Sequence, residues 1–113
     1  MSEHFVKAFG AACALLAQHN PIPQFPLRSQ EEYFPEALAI LPRLPDCNSE
    51  ADVATVAYEV FRQKLGFYYE LYGNPPIEYY RKAAQSLWKF WLELPEEQRK
   101  AVLERRVPTS GKA

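Results

Sequence analysis

The sequence predicts an all-α protein, an irregular four- to five-helix bundle built around a central antiparallel helix pair. Three observations predict it. Apolar residues recur at three- and four-residue spacing through long segments, proline and glycine clusters punctuate those segments, and no alternating strand pattern bounded by hairpin turns occurs. At 113 residues the chain suits a single domain. We place that domain at residues 1–107 and read the small, polar residues 108–113 as a disordered C-terminal tail.

The first helix runs from about Glu3 to Gln18, where Phe5, Val6, Phe9, Ala12, Cys13 and Leu16 share an apolar face. Ser2 is placed to cap it. Gly10 lowers its propensity and suggests close approach by a neighbouring helix. Asn20, Pro21 and Pro23 stop it, and residues 20–28 form an extended connector because three prolines deny backbone donors. A short turn over residues 29–34 precedes a helix from Pro35 to Leu41, since proline is tolerated in a first turn.

Pro42 and Pro45 mark a second break. Ser49 and Asp52 then resemble a capping box opening a helix that runs to Leu71 or Tyr72 and ends at Gly73, with glycine suited to a left-handed C-terminal position. The partner helix of the central pair runs from Pro76 to Leu94, joined by so short a link that the two lie antiparallel. A last helix opens at Pro95, with Glu96 and Glu97 at its positive end and Arg105 and Arg106 at its negative end.

Eleven of the sixteen Phe, Tyr and Trp residues fall between Tyr58 and Trp91. Projected at helical periodicity, residues 53–72 place Val53, Val56, Ala57, Val60, Phe61 and Leu71 on one packing face, together with Phe67 and Tyr68. Lys64 falls within that face. Tyr58, Leu65, Tyr69 and Tyr72 form a flank beside it, apolar surface beyond what the core requires. These four residues are the expected protein interface. Residues 77–94 give a cleaner pattern, with Tyr80, Ala84, Leu87, Trp88 and Trp91 on the buried side and Leu92 alone among the polar residues opposite.

The chemistry-bearing residues do not assemble a reaction. His4, Cys13 and His19 have no compact metal-site spacing, and no phosphate-binding, dinucleotide, zinc-protease or esterase signature occurs. Cys13 reads as a small buried hydrophobe; Cys47 sits in a loop beside Asp46 with no neighbouring cation. We therefore expect no enzyme activity, no cofactor and no metal. With thirteen basic and fourteen acidic residues, the net charge of −1 gives no overall attraction to nucleic acid or an anionic membrane. Residues 1–52 carry three basic and seven acidic side chains, net −4, whereas the remainder carries net +3.

The expectation is a small non-enzymatic protein-binding module, self-associating as a homodimer or acting as an adaptor or regulatory subunit. Two cysteines without a recognisable leader segment suggest a cytoplasmic setting with free thiols, and no apolar stretch is long enough for a membrane span. The alternative is a nucleic-acid-binding regulatory protein. It would use Arg81, Lys82 and Lys89 on one helix, and Arg99, Lys100, Arg105 and Arg106 on the last.

Overall fold

In a computed structural model, which describes residues 2–19, 30–66, 70, 71, 73 and 76–105, Ser2 caps the first helix as its position suggests. Its Oγ accepts a 3.1 Å hydrogen bond from the Phe5 N–H, satisfying a donor that has no partner within the helix. Helix α1 spans Glu3–His19 and buries Phe5, Ala8, Ala12, Cys13 and Leu16. Gly10 does not mark a close helix approach: a Cβ added there would meet no atom within 4 Å. The expected connector at residues 20–28 lies outside the described residues.

A 3₁₀ turn at Gln30–Tyr33 leads into α2, Phe34–Ile40, with Pro35 in its first turn. The break expected at Pro42 and Pro45 is instead a 3₁₀ helix over Leu41–Asp46 that buries Leu41 and Leu44. Pro42 occupies a first-turn position where its missing N–H leaves no bond unmade, so the chain continues to turn.

Helix α3 spans Glu50–Lys64. Ser49 Oγ accepts from the Asp52 N–H at 3.2 Å, but Asp52 Oδ2 accepts from the Asn48 N–H at 2.9 Å, one residue earlier than a reciprocal box requires. The helix expected to continue unbroken to Leu71 or Tyr72 is interrupted. Leu65 adopts φ −119° and ψ 26°, non-helical values that cap α3, and helical backbone is again present at Gly66, Glu70 and Leu71. Leu71, expected on the packing face, is 62% exposed. Lys64, expected within that face, is exposed too. Gly73 has φ 87°, the left-handed conformation anticipated for it.

The second long segment opens as a 3₁₀ turn, Ile77–Tyr80, before α4 spans Arg81–Glu93. Helix α5 follows at Glu96–Glu104. Residues 106–113, including the expected tail, lie outside the described residues. The fold is an irregular five-helix bundle, and no strand occurs among the described residues. Helix α3 packs most extensively on α4, while α1 packs on α5, α4 and α2.

An aromatic column ties these layers together. Phe61 on α3 lies with its ring centroid 6.2 Å from that of Tyr33 and 5.5 Å from that of Tyr80, and all three residues are fully buried. Tyr58 then meets Tyr80 edge-on at 5.9 Å. Edge-to-face and tilted ring pairs add to the free energy of area burial alone. Trp91 and Leu94 extend the core towards α5, where Ala101 and Val102 are buried.

Two substitutions follow from this packing. Phe61→Ala removes the middle ring and is expected to destabilise the protein by about 3–5 kcal/mol in chemical denaturation. Gly10→Ala gains helix propensity at an unobstructed position and is expected to stabilise it by about 0.5–1 kcal/mol in the same assay.

Candidate interaction surface

The side chains left over after the core is built define the candidate surface. On α1, Val6 and Phe9 are one helical step apart, and on α2 Phe34 and Leu38 are likewise neighbours. The Phe9 and Phe34 rings meet at 5.0 Å, joining the two helices into one apolar strip. Val6 is 50% exposed, Phe34 43% and Leu38 42%, with Phe9 half-buried between them. The opposite flank of Phe9 stacks on buried Phe5 at 6.3 Å, which anchors the strip to the core.

Leu38 also lines an open groove of about 840 Å³ between α2, the following 3₁₀ helix and α3. Ala39, Pro42 and Val56 line its apolar part, and Asp46, Asp52 and Glu59 bring carboxylates to its walls. Arg43 Nη2 donates to Glu59 Oε1 at 2.7 Å from one wall to the other. Both side chains are about half exposed, so the pair orients the wall more than it stabilises the fold.

Of the four residues expected to form the interface, two are described. Tyr58 and Leu65 are partly buried and pack against the core, and Tyr69 and Tyr72 lie outside the described residues. A single helical projection aligned the four, and the interruption at Leu65 removes the continuous helix on which that alignment depended. No local sequence pattern marks the α1–α2 strip, because it depends on a contact between residues 25 positions apart, Phe9 and Phe34.

The basic residues divide into two groups. Arg81, Lys82, Lys89 and Lys100 are exposed. Arg99 is partly buried: its Nη2 donates to the carbonyls of Trp91 at 2.8 Å and Leu92 at 2.9 Å, and its guanidinium lies 5.1 Å from the Trp91 ring centroid. It closes the C-terminus of α4 by hydrogen bonds and a cation–π contact. Arg105 lies over the Phe5 ring at 4.7 Å. Arg106 lies outside the described residues.

His19 and Ser86 tie α1 to α4 through a 2.7 Å contact between Nε2 and Oγ. Ser86 lies inside α4, where neighbouring backbone N–H groups are committed to the helix and offer no oxyanion-binding pair. His4, Cys13 and His19 do not converge, and no cluster of three or more His, Cys, Asp or Glu suited to a metal ion occurs among the described residues.

Both cysteines are free, buried thiols. Burial, reinforced by the Glu36 carboxylate, pushes Cys13 up from 9.0 to about 11. Glu36 is itself only 2% exposed and engages other groups of the fold. Cys47 is raised as well, chiefly by burial and then by Asp52. The expectation that no cation neighbours Cys47 is corrected by Arg43, whose carbonyl accepts from Cys47 Sγ at 3.6 Å. Its guanidinium pulls the thiol downward, and burial outweighs that pull.

Among the described residues no helix is long and apolar enough to cross a membrane. No family description, curated protein or solved structure matches the chain.

The Cys13 shift carries a signed pH dependence. A thiol that ionises near 9 when unfolded but near 11 when folded leaves stability unaffected below the lower value and reduces it progressively between the two. Denaturation midpoints measured against pH are expected to fall across that window, and a Cys13→Ala variant to lose that part of the slope. Native protein should also react slowly with a thiol reagent at pH 8, with full reactivity restored by denaturant.

Proposed function

We propose that this chain is a non-enzymatic protein-binding module that engages its partner through the α1–α2 strip of Val6, Phe9, Phe34 and Leu38. The observation that carries this reading is the continuity of the strip: four large apolar side chains from two helices, three of them substantially exposed and the fourth joining them by a ring contact. Isolated exposed apolar residues are ordinary on a monomer, whereas a contiguous group anchored on a rigid core has the form of an interaction site. The partner is either a second copy of this chain or another protein, in the manner of an adaptor or regulatory subunit.

Other features support the same reading. The two thiols are raised, not activated, and fit a small cytoplasmic protein whose cysteines stay reduced. Arg99 and Arg105 make contacts within the fold, which weakens the case for a basic nucleic-acid surface on α5.

Replacing Phe34 and Leu38 together by serine tests the reading. Light scattering coupled to gel filtration reports self-association, and a displayed peptide library selected on the wild-type protein reports hetero-binding. The double variant is expected to fold with nearly unchanged stability and to bind dimer partner or selected peptides at least about tenfold more weakly. Tyr58→Ser is expected to lower stability instead, because its ring packs on Tyr80. A monomeric wild-type protein that selects no peptide, or ligands indifferent to the double substitution, would overturn the reading.

A further inference from the structure

We draw no further inference here: the strongest candidate, the open groove between α2, the 3₁₀ helix that follows it and α3, carries nothing, because its carboxylates Asp46, Asp52 and Glu59 are engaged within the fold and nothing in the structure shows what covers it.

Discussion

Phe61 is the residue on which the arrangement of the bundle depends. It projects from the last turn of helix α3 and receives a tyrosine from each of two 3₁₀ turns, Tyr33 before α2 and Tyr80 before α4. A 3₁₀ turn has poorer hydrogen-bond geometry than an α-helix and gains little from its own backbone. Here each turn is held by the ring it places against Phe61. Because each turn directly precedes a helix, seating the tyrosine also sets where α2 and α4 begin, and so which of their faces turn inward. The exposure of Phe34 and Leu38 is therefore a downstream result of how Tyr33 is seated.

The same dependence explains why the outer surface is divided as it is. Helix α2 is short and is gripped at its start by Tyr33 and along its length by Ala37 and Ile40, while Glu36 points inward as well. With that inward set fixed, the residues between them have no place in the core. Phe34 and Leu38 must lie outside, and Phe9 is drawn to the boundary to meet Phe34. A surface of this origin is preorganised, because its supporting residues are core residues, and preorganisation reduces the ordering cost of binding.

Most of the helical plan was legible in the sequence because its signals are local. Ser2, Ser49, Pro35 and Gly73 each act within a few residues, and the apolar periodicity of α1 and α4 reports on burial, with Val6, placed on the apolar face of α1 but 50% exposed, as a departure. What was not legible depends on residues far apart in the chain. The 3₁₀ helix at Leu41–Asp46 buries Leu41 and Leu44 in the tertiary fold, which favours continued turning despite Pro45 inside it. The interruption at Leu65 had a weak local sign in Gly66, but the surrounding apolar residues read equally well as one long helix. The expected interface at Tyr58 and Leu65 rested on that continuity, whereas the α1–α2 strip arises from a contact between Phe9 and Phe34 across the connector. Periodicity within one helix cannot register such a contact.

Helix α1 finds much of its packing partner in α5, and Arg105 covers the ring of Phe5. Folding therefore has to bring Phe5 against Arg105, 100 positions further along the chain, before that side of α1 is covered. Contacts so distant in sequence close slowly compared with those that α1 makes with α2. Until then the ring of Phe5 lacks the cover of Arg105. Apolar surface left open during that search is exposed to misassociation, and the contact of α1 with α5 ends the exposure.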